Sequence, residues 1–283
     1  MSQNLDLEKN NLSEVLVTYL CYLTEANTPR RGKNFYKSLE SIKLLQNQKC
    51  KVVAIQNVCT EDAEQKIDKQ PGIDFSIKLK KNLWDISVIY AAAKIAKENN
   101  MKYCIYTYDD FVVYDDSFIE ACVDFMEVHS DAACLRIPAY EYENQQKFDP
   151  STTPKSVNPD SVRHYNTQTG KNLEWEGPFK HLDKTFYKCN WHYTSRPSLW
   201  RTDILLSFFE NYENIPVMQH FEVHGCKLLA EAGLSVGVLD RGAMYTFLES
   251  ERNSSEASKG GNVTVPLKDL ENAIAGKYKF RNE

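Results

Sequence analysis

The chain has 283 residues, 42% hydrophobic and 12% aromatic, with a formal net charge of −5. That is enough for a full core in one large α/β domain or two small ones. An acidic balance with no long block of one sign argues against a protein that binds nucleic acid by neutralising phosphates. The eight cysteines are scattered, with no CxxC pair and no Cys/His cluster at zinc spacing, so the expectation is a reduced, cytoplasmic protein without disulfides. The polar, acidic start MSQNLDLEKNNLSE does not read as a signal peptide, and no apolar run approaches the length of a membrane span.

Residues 1–13 read as a loose polar leader. The β-branched run from Val15 to Leu20 predicts a first buried strand, and Asn27, Pro29 and Gly32 punctuate the loop after it. Phe35, Leu39, Ile42 and Leu45 recur at helical spacing. Val52–Ile55 predicts a second strand, ending in a polar segment, 56–62, able to cap a helix or face a ligand. Phe75–Leu79 predicts a third strand, and Ile86, Ile89, Ala93 and Ala96 form the stripe of a helix. A fourth apolar run, with Tyr103, Ile105 and Tyr106, stops at the adjacent acids Asp109 and Asp110, and an amphipathic helical pattern follows. Strands alternating with helices imply right-handed βαβ units and a mostly parallel sheet. Thr18, Asn57 and Asp110 are then expected to converge at its carboxyl edge, where such sheets bind ligands.

The second half differs. Residues 139–196 are rich in Tyr, Asn, Lys, Pro and Trp with weak periodicity, and read as an irregular substrate-facing region with room for short strands. Helices are expected over 202–209 and 222–232, the latter closed by Gly233, and a last strand over 235–239. Residues 253–262 read as a linker, followed by a tail with Leu267, Leu270 and Ile274 at amphipathic spacing. The expected organisation is one domain, 1–252, in two halves (14–138 and 139–252), then a linker and tail, 253–283.

A buried strand that delivers a carboxylate pair to its end suits a hard divalent cation. Mg²⁺ and Mn²⁺ bind through few carboxylates plus substrate phosphates, so the pair points to a phosphorylated donor. The same dipeptide also suits a turn that caps a helix without metal. Glu222 suits the first turn of a helix, where the dipole favours an acid, and Trp175, Trp191 and His192 suit ordinary packing as well as a ligand-facing wall.

The order of these parts resembles family-2-like glycosyltransferases of the GT-A fold, over roughly residues 14–252. VLVTYL is similar to the opening strand, and VVAIQNVCTED to the strand and turn that usually carries an Asp where Gln56 or Asn57 stands here. YTYDDF resembles the DXD element, with Tyr108 first and Asp110 last, and MQHFEVHGCKLLAEAGLSVGV resembles the Glu-Asp helix. In that helix the second acid lies eleven residues before the closing glycine, which is Glu222 here, and Phe221 replaces the preceding acid. MYTFLESER resembles the closing motif, with Phe247 at the usual metal-binding His and Arg252 at its Arg. The resemblance implies a GT-A (Rossmann-like), mostly parallel α/β sheet flanked by helices, with an irregular acceptor-side region and a C-terminal tail. It implies transfer of a sugar, with inversion, from a nucleotide sugar (a UDP-sugar foremost) to a glycan, protein, lipid-linked or nucleobase hydroxyl. Asp110 is the implied ligand of Mn²⁺ or Mg²⁺, and Glu222 the implied base. Thr18, Tyr19, Asn57, Lys81, Asp109 and Arg252 are the implied donor contacts, and Trp175, Trp191 and His192 the acceptor contacts. A nucleotidyltransferase on a similar sheet, or a non-catalytic nucleotide-sugar-binding module, are the competing readings. The first lacks an early glycine-rich phosphate loop.

Overall fold

The computed structural model describes residues 15–137, 165–166, 171–172, 174–190, 196–217, 219–246 and 263–275. The expected leader, Trp191, His192, Phe247, Arg252 and the expected linker lie outside these residues. The first half alternates strand and helix: β1 (Val15–Cys21), α1 (Thr28–Ser41) running into a 3₁₀ turn (Ile42–Leu45), β2 (Cys50–Asn57), α2 (Glu61–Asp68), β3 (Phe75–Leu79), α3 (Ile86–Glu98) and β4 (Tyr103–Tyr108). Then follow β5 (Phe111–Val113), α4 (Phe118–Val128), β6 (Ala132–Arg136), β7 (Tyr165–Asn166), β8 (Lys171–Asn172), β9 (Trp175–His181), β10 (Lys184–Cys189), β11 (Ser198–Arg201), α5 (Thr202–Ser207), β12 (Asn214–Pro216), α6 (Gln219–Glu231), β13 (Ser235–Leu239), β14 (Met244–Thr246), β15 (Thr264–Pro266) and α7 (Leu267–Ile274).

The central sheet has nine strands in the order β3-β2-β1-β4-β11-β6-β13-β10-β9. β1 to β4 are parallel, and β6 and β13 run with them. β11 and β10 run against them. Side chains on β1 alternate between two cores, as the two-residue strand period requires. Val15, Val17, Tyr19 and Cys21 pack with α1, α2 and α4, whereas Leu16 and Leu20 pack with α3, α5, α6 and α7. Each fully buried aliphatic side chain of this kind contributes about 1.5–3 kcal/mol. Gly237 lets β13 approach α4: a Cβ there would lie 2.6 Å from the Phe125 ring.

The chain leaves β1 towards β2 and β3, then returns to place β4 on the other flank of β1. That reversal makes the β1/β4 carboxyl ends a topological switch point, the usual ligand position in an open α/β sheet.

The short strands of the segment 139–196 include β9 and β10, which join the main sheet. Most of β9 is exposed and holds Gly177 and Pro178, so the alternation of a half-buried strand is missing from its sequence. β6, Ala-Ala-Cys-Leu-Arg, is buried throughout but too short and too poor in β-branched residues to stand out from the helix before it. In the tail, β15 pairs with β12, and α7 buries Leu270 and Ile274 in the α3-side core.

Candidate functional site

The connections set the site before any side chain is considered. α3 and α6 both begin at the carboxyl edge of the sheet, because each runs back against the parallel strands beside it. The first residues of these helices therefore share an edge with the ends of β1, β2 and β4.

Asp109 ties the switch point together. Its Oδ2 accepts the Tyr22 N–H just past β1 at 2.7 Å, and its Oδ1 accepts from the Arg31 guanidinium of α1 at 2.5 Å. The side chain is 4% exposed. Burial pushes its pKa up to about 6, opposed by the Arg31 charge and raised further by Asp110; the Tyr22 N–H also opposes. Arg31 is raised in turn, chiefly by Asp109. Both Asp109 oxygens are thus engaged within the protein, and Asp110, half-buried beside it, is the other acid of the doublet.

A second group assembles from loops that the motifs did not emphasise. Asn57, at the end of β2, is buried; its Nδ2 donates to Asn82 Oδ1 (2.8 Å) and its Oδ1 accepts the Leu83 N–H (3.0 Å). Asn82 Oδ1 also accepts the Trp84 N–H at 2.8 Å. These bonds hold Trp84 in the left-handed region, φ 58°, an unusual conformation for a bulky residue. The loop so fixed presents Asp85 at the start of α3. Asp85 Oδ1 is buried and has no hydrogen-bond partner among the described residues. Burial, then the nearby Glu222 charge, pushes the Asp85 carboxyl up to about 7. Tyr108, the last residue of β4, is also raised, by burial first and then by Asp85, Tyr106, Glu222 and Asp110. Asp85, Tyr108 and Glu222 therefore form one electrostatic neighbourhood at the carboxyl edge.

The folded chain holds the Asp85 proton more tightly than an unfolded chain, in which it titrates near 3.8. Stability from this group is therefore fully present below about pH 4 and is lost as pH rises towards 7. Asp85→Asn is expected to exceed wild type in stability at pH 8 by on the order of 2 kcal/mol. The gain should vanish near pH 4, and urea unfolding at the two pH values checks both points.

The other expected site residues fall as follows. Thr18 faces the α3 side, and its hydroxyl donates to the Val88 carbonyl at 3.1 Å. Tyr19 is fully buried on the opposite face and donates to Ser38 Oγ at 2.9 Å. Both lie inside the cores and spend their hydroxyls there, so the structure does not bring them to the cleft; a strand's last residues, not its middle, reach the edge. Asn57 reaches the edge but holds a loop. Lys81 is exposed and pairs with Asp269 of α7 at 2.7 Å. Trp175 is not brought to the site: it pairs with Cys189 near the start of β13, at the edge opposite the aspartates, and its ring meets Tyr187. Trp191, His192 and Arg252 lie outside the described residues. Asp85 went unread because an Asp ahead of a helix is an ordinary cap by sequence; here its side chain makes no cap hydrogen bond.

Among the described residues no group of three or more His, Cys, Asp and Glu side chains is arranged to hold a metal ion. With both Asp109 oxygens engaged, this strand end fits a cation carried mainly by substrate phosphate oxygens, with Asp110 as its protein donor, and does not fit a site built by the protein alone. Two cavities lie elsewhere. One of about 310 Å³, lined by Asp131, Glu176 and Lys188, is at the opposite edge. One of about 600 Å³, lined by Tyr114, Lys184, Tyr187 and Arg241, lies beyond the end of β13.

The chain is similar in structure to nucleotide-sugar transferases of the GT-A type. The S. aureus TarS fragment in complex with UDP-GlcNAc shares 14% identity at a TM-score of 0.49, over 92% of this chain and 64% of that one. A mannosyltransferase from Pyrobaculum calidifontis, in complex with GDP-Man and Mn²⁺, shares 11% identity at a TM-score of 0.43, over 84% of this chain and 55% of that one. CMP:2-keto-3-deoxy-manno-octonic acid synthetase, complexed with CTP, shares 15% identity at a TM-score of 0.43, over 79% and 88%. The chain spans about 60% of the length of the TarS fragment. No family model and no curated protein matches the chain. The fold is α/β, with a large central sheet flanked by helices. Among the described residues no helix is long and apolar enough to cross a membrane.

Proposed function

We propose that the protein is a glycosyltransferase that moves a sugar from a nucleotide-sugar donor to an acceptor hydroxyl with inversion. The observation that carries this reading is the placing of Asp109 and Asp110 just past β4 at the switch point, on the same carboxyl edge as the starts of α3 and α6 that hold Asp85 and Glu222. The diphosphate lies over the carboxyl end of β4, beside Asp110. A divalent cation, Mn²⁺ or Mg²⁺, neutralises charge on the leaving diphosphate when it is bound there. Glu222, opening α6 on the other side, takes the proton from the acceptor hydroxyl as its oxygen bonds the anomeric carbon and the bond to diphosphate breaks. The loop held by Asn57 shapes the donor side, and Asp109 with Arg31 keeps β1 and β4 in register beneath it. The donor proposed first is a UDP-sugar, and the acceptor is a glycan, protein, lipid-linked or nucleobase hydroxyl approaching from the half that contains α6.

The test is product analysis on UDP- and GDP-sugars with Mn²⁺, and on nucleoside triphosphates with free sugars and sugar phosphates, each with and without chelator. Nucleoside diphosphate is the expected product, and Asp110→Ala is expected to lower its release about 10²-fold or more. Release of pyrophosphate from a nucleoside triphosphate would move the assignment to nucleotidyl transfer. Tight donor binding without turnover on any acceptor would make the protein a binding module.

A further inference from the structure

We propose that Asp85 forms a sugar-hydroxyl subsite: its buried Oδ1 hydrogen-bonds a hydroxyl of the sugar being transferred, and so sets which sugar the site accepts. This inference rests on the reading of the site as a donor site for glycosyl transfer.

Three observations lead to it. First, Asp85 Oδ1 is buried with no partner among the described residues. Buried polar atoms in folded proteins are nearly always hydrogen-bonded, so an orphan carboxyl oxygen calls for a ligand group to complete it. Second, it is held in place. The Asn57–Asn82–Leu83 bonds fix the loop, Trp84 takes a left-handed backbone to deliver the next residue, and Ser87 Oγ donates to the Trp84 carbonyl at 2.7 Å. Backbone strain of this kind persists only where the surroundings enforce it. Third, its neighbours are those of a reaction centre. The groups acting on Asp85 are the backbone amides of Asp85 and Ile86 on its own helix and Glu222 on α6. Asp85 in turn acts on Tyr108 on β4.

Two other orphan atoms differ in their surroundings. The Gln56 amide donates to Asp68 of α2, and His129 packs among Phe125, Phe179 and His181 at the end of α4. Asp85 is also well suited to discriminate. A buried group built to hydrogen-bond a substrate hydroxyl rejects an analogue lacking it far more strongly than an apolar pocket does, because the protein group is then left unpaired. With Glu222 beside it, Asp85 retains a proton near neutral pH, so it can donate to a sugar oxygen as well as accept from a hydroxyl.

The test compares nucleoside diphosphate with nucleotide sugar. UDP, GDP, UDP-glucose, UDP-galactose, UDP-GlcNAc and GDP-mannose are titrated by calorimetry against the full chain, Asp85→Ala and Asp85→Asn, each checked for folding by circular dichroism. Wild type is expected to bind at least one sugar nucleotide more tightly than its diphosphate. Asp85→Ala is expected to weaken that sugar nucleotide about tenfold or more while leaving the diphosphate within about twofold. Asp85→Asn keeps the shape and is expected to change the order of preference among the sugars. If Asp85→Ala weakens diphosphate and sugar nucleotide equally, or leaves the preference for the sugar intact, Asp85 is only a structural residue and the subsite is wrong while the donor site stands. If wild type binds none of the panel, the donor-site reading itself fails and takes the subsite with it. Should Asp85→Ala not fold, an unchanged sugar preference in Asp85→Asn overturns the proposal.

Discussion

Glu222→Gln is expected to lower the rate of sugar transfer, or of donor hydrolysis with water as acceptor, by about 10²–10⁴-fold. The amide keeps the shape of the side chain and its place in the first turn of α6, but it cannot take a proton. On the proposed mechanism Glu222 acts on the acceptor and not on the nucleotide, so diphosphate affinity should stay within about twofold. That split between rate and binding separates a base from a glutamate that merely stabilises the helix start, whose loss costs about 0.3–1 kcal/mol of stability and leaves the rate alone. Initial rates of diphosphate release on purified variant and wild type decide it; a loss smaller than about threefold would remove Glu222 from the reaction. The variant also relieves Asp85 of a neighbouring charge, so the Asp85 carboxyl should titrate lower in it, readable by carboxyl-selective NMR.

Asp109→Ala should be the most destabilising single change in the described site, at about 3–5 kcal/mol. The cost has two parts. The Arg31 guanidinium, 20% exposed, is left without its partner in a poorly hydrated place. The Tyr22 N–H loses the oxygen that satisfies it across the β1/β4 ends. The removal of a carboxylate raised to about 6 returns only part of this, since Arg31 already compensates its charge. Guanidinium unfolding of the variant, followed by circular dichroism, measures the loss. The double variant Asp109→Ala with Arg31→Met should recover much of it, because an apolar pair replaces a buried ion pair at little cost. A single variant within about 1 kcal/mol of wild type would show the tie to be ornamental.

Much of the fold was legible because its first half obeys simple periods. β3 and the start of α3 fall where alternation and the helical stripe place them, and Gly233, at φ 65°, closes α6 as a glycine C-cap should. The carboxyl-edge position of the aspartates followed from strand order alone. What escaped was set by contacts that no local pattern encodes. β9 carries the exposed, proline-bearing look of a loop, yet forms a hairpin with β10, and only the pairing of β10 with the distant β13 brings the two into the main sheet. Thr18 looked like a strand-end contact, but it lies mid-strand, and register with Tyr106 of β4 carries it under α3. Asp109 looked like the more passive acid of the doublet and turned out to be the one enclosed, because Arg31 lies far away in sequence and only the fold brings it near. Asp85 was invisible for the complementary reason: its significance is an empty hydrogen-bond position, and a sequence does not display what a side chain lacks.

The placement of Pro178 has one more effect. In the described sheet β9 is the outermost strand on its side, and an outermost strand offers unpaired backbone groups on which another chain can add as a further strand. Proline has no N–H to offer, Gly177 beside it takes a φ of 121°, and Glu176 and Lys180 are exposed on either side. A second polypeptide running along β9 would meet a gap in the ladder at its centre and charge at its flanks. The large mixed sheet thus carries, on that rim, its own guard against growing into aggregates.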